Sequence, residues 1–235
     1  MNIVLFEPSE VSEDGRITVT GARARHLLSV LKVSPGQQIQ IGIVDGPVGL
    51  GTILSADPNS VRLACTFQSV APARPRVDLL LAVPRPKVLR RLWAQLAALG
   101  VGQVILTNAE KVERNYFDSH VMSEAGYRPL LIEGLQQARD TWVPLVSIHK
   151  RFTVLVEDDL DGLFPAGRRL VAHPGSSHSF RSVLLSAKTE RVLLAIGPEG
   201  GWNNFELALL ERHGFEVVPS SFGTDGEQHS FGLCR

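Results

Sequence analysis

The chain has 235 residues, 44% of them hydrophobic, and its 24 Lys+Arg are balanced by 24 Asp+Glu, which excludes a disordered chain and any general attraction to nucleic acid; such attraction has to come from local patches. Its two cysteines, Cys65 and Cys234, form neither a CxxC pair nor a Cys/His cluster at metal-ligand spacing, so neither a disulfide framework nor a zinc site is indicated, and a reducing compartment is the simpler reading. Acidic residues near the N-terminus, where a signal peptide would carry its apolar core, and the lack of any window near ~18 apolar residues give the expectation of a cytosolic protein without a membrane partner.

Residues 1–72 read as a small β-rich unit. Asn2 to Phe6 is a short apolar run, and Arg25 to Val33 suits a helix stopped before Pro35 and Gly36. Ile39, Ile41 and Ile43 then alternate with polar or small residues; Gly51 to Ala56 forms a return strand, and Val61 to Val70 a further alternating one. Short strands punctuated by Gly, Pro and Asn suggest a small barrel. Ala71 to Val77, with two prolines and two arginines between different periodicities, is the boundary.

Beyond it the pattern becomes strand, helix, strand, as expected of an α/β domain over residues 73–218. Val77 to Val83 is a nearly continuous apolar run, suited to a strand covered on both faces. Pro86 opens a helix carrying Val88, Leu89, Leu92, Trp93, Leu96 and Leu99 at helical spacing, Gly100 caps it, and Gly102 to Thr107 gives the next strand. A long helix follows over Ser123 to Ala138, then a strand in VPLVSIHKR, a short helix over Phe152 to Leu160, and a strand over Arg169 to Ala172. Another helix is expected between Phe180 and Leu185. Arg191 to Ile196 leads into GPEGG; Asn203 with Glu206 resembles a capping box, Gly214 closes that helix, and Phe215 to Val218 is a last strand. Residues 219–235, without periodicity of either type, read as an atypical tail.

Four features are candidates for chemistry. The glycine turn after Ile196 suits a ligand, because glycines let backbone amides approach without a Cβ, but such turns serve nucleotides, cofactors and plain tight turns alike. Arg85, Lys87, Arg90 and Arg91 lie near the start of a helix, where an anion such as phosphate would benefit from dipole and charges together; a solvated basic face is the other reading. Arg23, Arg25, His26 and Lys32, joined by Arg16 and Arg62, are either an RNA-binding face or scattered surface cations. His173 ends a strand, where it either donates to a ligand or satisfies a loop carbonyl. Glu199, between Pro198 and Gly200, either offsets a cationic ligand, bonds a ribose, or ties the loop to a neighbouring amide. A phosphate-binding P-loop is excluded, because no Lys-Ser or Lys-Thr follows GPEGG. No covalent nucleophile stands out, which favours chemistry done by positioning two bound reactants.

Five motifs in order, RHLLSVLKVSPGQ, PRPKVLRRLWAQLAALGV, LIEGLQQARDTWVP, AHPGSS and LLAIGPEGGWNNFE, make the chain resemble the SPOUT-superfamily 16S ribosomal RNA uridine-N3 methyltransferases over about residues 20–218. The resemblance implies an N-terminal PUA-like barrel that grips RNA, an α/β domain with a C-terminal trefoil knot, and a homodimer. It implies S-adenosylmethionine as cofactor, with the methyl group going to N3 of a uridine in small-subunit ribosomal RNA. By motif, Ala172, His173 and Pro174 with Ile196, Gly197, Pro198, Glu199, Gly200 and Gly201 would line the cofactor pocket, and Lys87, Arg90 and Arg91 would face RNA. The catalytic base is unassigned. Residues 219–235 do not match the family's second glycine-containing loop and final helix, so the expectation is a knot that is incomplete, and the alternative function is a non-catalytic RNA-binding protein of the same descent.

Overall fold

The computed structural model describes residues 2–174 and 190–219. The helix expected at Phe180 to Leu185 and residues 220–235 lie outside them. Clustering of backbone contacts divides the chain into two compact units: one of Met1–Arg74, Trp93–Gly100 and Arg128–Val143, the other of Pro75–Leu92, Val101–Tyr127 and Pro144–Arg235.

The first unit is built on a five-stranded sheet in the order β1-β3-β4-β5-β2, with β1 Val4–Phe6, β2 Arg16–Thr20, β3 Gln38–Ile43, β4 Val48–Asp57 and β5 Ser60–Phe67. β1 runs parallel to β3 and the other neighbours are antiparallel. Phe6 on one edge strand and Ile17 and Val19 on the other belong to the same buried cluster as Ile41, Ile53 and Leu63. A flat sheet cannot bring its two edges to one core, so this sheet is curled. The alternation of Val61 and Leu63 with polar residues is the reason β5 buries one face.

Helix α1 spans Gly21–Ser29, four residues earlier than the sequence suggests. Its buried residues are Ala24 and Leu27, and the chain has left the helix before Lys32, which has φ 50°. The apolar run at Leu31 and Val33 packs after the helix ends, which is what shifted the expected boundary. β4 likewise begins at Val48 rather than Gly51, and β5 ends at Phe67 rather than Val70.

The second unit is built on a six-stranded sheet in the order β11-β9-β10-β6-β7-β8, with every neighbouring pair parallel. Its strands are β6 Val77–Ala82, β7 Val101–Thr107, β8 Leu145–His149, β9 Arg168–His173, β10 Val192–Ile196 and β11 Phe215–Pro219. Leu79 to Ala82 and Val104 to Leu106 are buried without alternation, as parallel strands covered on both faces require. Helix α2, Pro86–Ala98, joins β6 to β7, and Gly100 follows it with φ 74°. Helix α3 is Glu124–Ala138, and α4, Asn204–Arg212, joins β10 to β11. Between β8 and β9 the expected short helix is a composite, Phe152–Val154, a π-turn Leu155–Asp159, and Leu160–Leu163. Among the described residues no helix is long and apolar enough to cross a membrane.

Within the first unit α3 meets α2 at Gly134, where a Cβ would lie 2.0 Å from the Ala94 carbonyl oxygen. Backbone cannot yield as a flexible side chain would. Gly134→Ala is therefore expected to lower unfolding stability by about 1–3 kcal/mol, despite alanine's better helix propensity, in urea denaturation followed by tryptophan fluorescence.

Candidate ligand site at the carboxyl ends of the parallel strands

Because all six strands of the second unit are parallel, their carboxyl ends share one edge. The chain passes from β6 to β7 on one side, while β10 lies on the other side of β6 and is followed by β11 beyond β9. That reversal between β10 and β6 is where open α/β sheets form a crevice for ligands. Two of the sequence candidates meet there. Ile196 pairs with Ala172, so Gly197 leaves β10 beside His173 and Pro174 leaving β9.

The loop after Ile196 is held from several directions. Lys111 Nζ, in the segment following β7, donates to the Gly200 carbonyl at 2.6 Å. Arg85 Nη2, just beyond β6, stands 3.6 Å from Glu199 Oε2, an ion pair that none of the three readings for Glu199 named. Gly201 N donates to the Pro198 carbonyl at 2.7 Å, a turn that puts Gly201 at φ 72°. Trp202 is buried beneath the loop with its ring 5.3 Å from that of Phe152. Gly197 makes room for it, since a Cβ there would lie 3.0 Å from Trp202 N and 3.1 Å from the indole.

The base of the loop depends on Glu206, which is 4% exposed. Its Oε2 accepts from Asn203 N at 2.9 Å, and Asn203 Oδ1 accepts from Glu206 N at 2.7 Å, completing the capping box. Its Oε1 accepts from Glu110 N at 2.7 Å, and Asn203 Nδ2 donates to Glu110 Oε2 at 2.7 Å. One buried carboxylate thus starts α4 and joins the loop after β10 to the loop after β7.

Three side-chain atoms of this region are buried without a partner among the described residues: Thr107 Oγ1, Asn108 Oδ1 and Trp202 Nε1. A buried polar atom left unpaired costs about 1–3 kcal/mol, so three at one end of the sheet make this region the candidate for a ligand that would pair them. They are an indole donor, an amide acceptor and a hydroxyl. That set suits a nucleoside-like molecule, whose base and ribose carry both donors and acceptors.

The basic candidates separate into tied and untied cations. Arg23 is tied: it pairs with Glu10, donates to the Leu5 carbonyl at 3.3 Å and lies over the Phe6 ring. Burial raises the Glu10 carboxyl, but the Arg23 hydrogen bond, the Glu7 amide and the Arg23 charge together hold it below the ordinary range. His26 Nε2 is buried without a partner among the described residues, and Arg25 and Lys32 are exposed. On α2, Lys87, Arg90 and Arg91 are exposed, while Leu89, Trp93, Leu96 and Ala97 are buried. The sequence reading did not single out Lys111, Glu110, Thr107 or Asn108. Asn108 to Lys111 sits in a polar stretch with no periodicity, and its partners are about ninety residues away in sequence.

Two stretches of the chain match families of known proteins. The family described as the RNA methyltransferase domain matches residues 72–222, and the RNA methyltransferase PUA domain matches residues 19–64. The chain is 28% identical over 220 residues to the ribosomal RNA small subunit methyltransferase E of Treponema pallidum, covering 93% of this chain and 83% of that protein. It is 22% identical over 224 residues to the small subunit methyltransferase E 1 of Borreliella burgdorferi, covering 95% and 91%. Among solved structures, it resembles a ribosomal RNA small subunit methyltransferase E from Neisseria gonorrhoeae bound to S-adenosyl methionine, with a TM-score of 0.74 at 16% identity, over 95% of this chain and 90% of that one. A putative methyltransferase from Legionella pneumophila in complex with the same cofactor gives 0.72 at 18% identity, over 93% and 88%.

Glu206→Ala strands the amides of Asn203 and Glu110, so the variant is expected to lose about 1–3 kcal/mol of unfolding stability. Asn203→Ala, which removes the cap but leaves Glu206 on Glu110, should lose about 1 kcal/mol. Urea denaturation of the two variants checks the order.

Proposed function

The chain belongs to the RNA methyltransferase family, and from that premise we propose that it methylates N3 of a uridine in small-subunit ribosomal RNA, using S-adenosylmethionine. The carrying observation is the convergence of the loops after β9 and β10 with three unpartnered buried polar atoms at the carboxyl ends of the sheet. The named relatives act on small-subunit ribosomal RNA, and the solved structures with this fold hold the proposed cofactor.

Ala172, His173 and Pro174 and the loop Ile196 to Gly201 form the cofactor pocket in this reading. Gly197, Gly200 and Gly201 give the loop its shape by admitting Trp202, Lys111 and the turn at Gly201, and Thr107, Asn108 and Trp202 supply side-chain partners for the adenosine's heteroatoms. When bound, the cofactor supplies an electrophilic methyl group on a sulfonium.

The chain's own contribution is placement. A uridine imide is a weak nucleophile until its N3 proton leaves, so orientation of N3 and a water-poor pocket supply most of the acceleration. Arg85 stands at the rim of the loop, where its charge offsets the negative charge that develops on the uracil oxygens as N3 loses its proton. Arg25, His26 and Lys32 of the first unit, with Lys87, Arg90 and Arg91 of α2, hold RNA phosphates; Arg23 belongs to the same face but is largely spent on Glu10. The family resemblance further supports a homodimer and a C-terminal trefoil knot as part of this reading.

Small ribosomal subunits lacking base methylation, incubated with the protein and S-adenosylmethionine carrying a labelled methyl group, are expected to yield labelled 3-methyluridine on nuclease digestion and chromatography. Label on another base overturns the uridine-N3 assignment. Subunit binding with no transfer overturns the catalytic reading and leaves a non-catalytic RNA-binding protein.

A further inference from the structure

Two cavities open in the first unit, and their linings differ in charge. One, of about 300 Å³, carries Glu7 and Glu10 as well as Arg23. Its carboxylates oppose the approach of a polyanion. The other, of about 460 Å³, is a cleft over β3, β4 and β5 and contains no carboxylate. Its size falls within the range of small-molecule and nucleotide sites.

The cleft has an apolar floor and a polar rim. Leu50, which is 46% exposed, and Val48, two residues before it on the same face of β4, supply apolar surface, Gln40, Gln68 and Thr66 supply donors and acceptors, and Arg139 supplies the charge. Among the described residues Arg139 forms no ion pair. Gln40, Val48 and Leu50 lie on strands inside the stretch that matches the PUA domain of RNA methyltransferases.

Arg139 also breaks a local rule. It follows the last residue of α3 and has φ 61°, the left-handed conformation that glycine usually supplies at this position. Asp140 N donates to the Leu135 carbonyl at 3.1 Å, the bond that closes such a cap. A non-glycine residue pays about 1 kcal/mol or more for that backbone, and side chains held at such a cost are often functional. The strained cap fixes the direction in which the arginine leaves the helix, at the edge of the cleft.

We propose that this cleft is a subsite for one unpaired nucleotide of the RNA, with the base laid against Leu50 and Val48, its edge read by Gln40, Gln68 and Thr66, and the adjoining phosphate met by Arg139. The proposal rests on the RNA-methyltransferase reading for its ligand, but uses none of the residues assigned to the cofactor pocket or to the basic face of α1 and α2. A base on an apolar platform with one guanidinium on the phosphate is the recurrent chemistry of single-stranded RNA binding.

The test is fluorescence anisotropy of the full chain with a labelled oligouridylate, comparing wild type with Arg139→Gly, Arg139→Lys and Leu50→Glu, alongside calorimetric titration with S-adenosylmethionine. Arg139→Gly relieves the strained cap, so its melting temperature is expected to equal or exceed that of wild type, which separates lost binding from lost folding. Its RNA affinity is expected to fall about tenfold, with the slope of log affinity against log salt shallower by about 0.7, the value for one phosphate contact on a single strand. Arg139→Lys should recover part of the loss, Leu50→Glu should weaken RNA binding about tenfold by itself, and cofactor affinity should be unchanged in all three. Wild-type binding with undiminished affinity in Arg139→Gly and Leu50→Glu overturns the subsite and leaves the family reading intact. Absence of RNA binding and methyl transfer by wild type overturns that reading, and the subsite with it. Self-association of wild type that Leu50→Glu abolishes assigns the cleft to a second copy and also overturns the proposal.

Discussion

The carboxylate of Glu206 is the contact on which the candidate site depends. Buried as it is, it would be costly if unpaired; bonded to the amides of Asn203 and Glu110, it starts a helix and fixes two loops that arrive from strands far apart in sequence. The remaining contacts at the loop follow from that placement. Once Glu110 is held, Lys111 is within reach of the Gly200 carbonyl, and the turn at Gly201 lets Trp202 fold under the loop against Phe152. A glycine-rich segment, free by nature to sample many conformations, is thereby left with few.

The same economy explains why the site contains unpaired polar atoms at all. Elsewhere at this edge, donors and acceptors find each other within the protein. Thr107 Oγ1, Asn108 Oδ1 and Trp202 Nε1 do not, although each is shut away from solvent. These atoms stand beside a carboxylate that is fully paired, and the cofactor of the proposed function carries groups that match them.

Much of this was legible along the chain, and the reasons are physical. VDLLLAV reads as a strand covered on both faces because nothing in it alternates, and β6 lies inside the sheet. Pro86, the apolar spacing from Val88 to Leu96 and Gly100 specify α2 locally, and Asn203 with Glu206 specifies the start of α4. The motifs AHPGSS and GPEGG pointed to two strand ends that the register of β9 and β10 places side by side. What the sequence hid was long-range pairing. Arg23 looks like a free cation until the curled sheet brings Glu10 to it, and Lys111 looks like loop until Gly200 arrives from 89 residues away. Arg139 is hidden for a different reason: the sequence shows an arginine, and only the backbone shows that it stands in a glycine's conformation.

The account's central claim is that the loops after β9 and β10, braced by the loop after β7, hold the cofactor. Amide hydrogen exchange of the full chain with and without saturating S-adenosylmethionine tests it most directly. Slowed exchange is expected in peptides covering residues 107–111, 172–174 and 196–203, with little change in β1 to β5. Cofactor binding that leaves those peptides unchanged and protects another part of the chain contradicts the account.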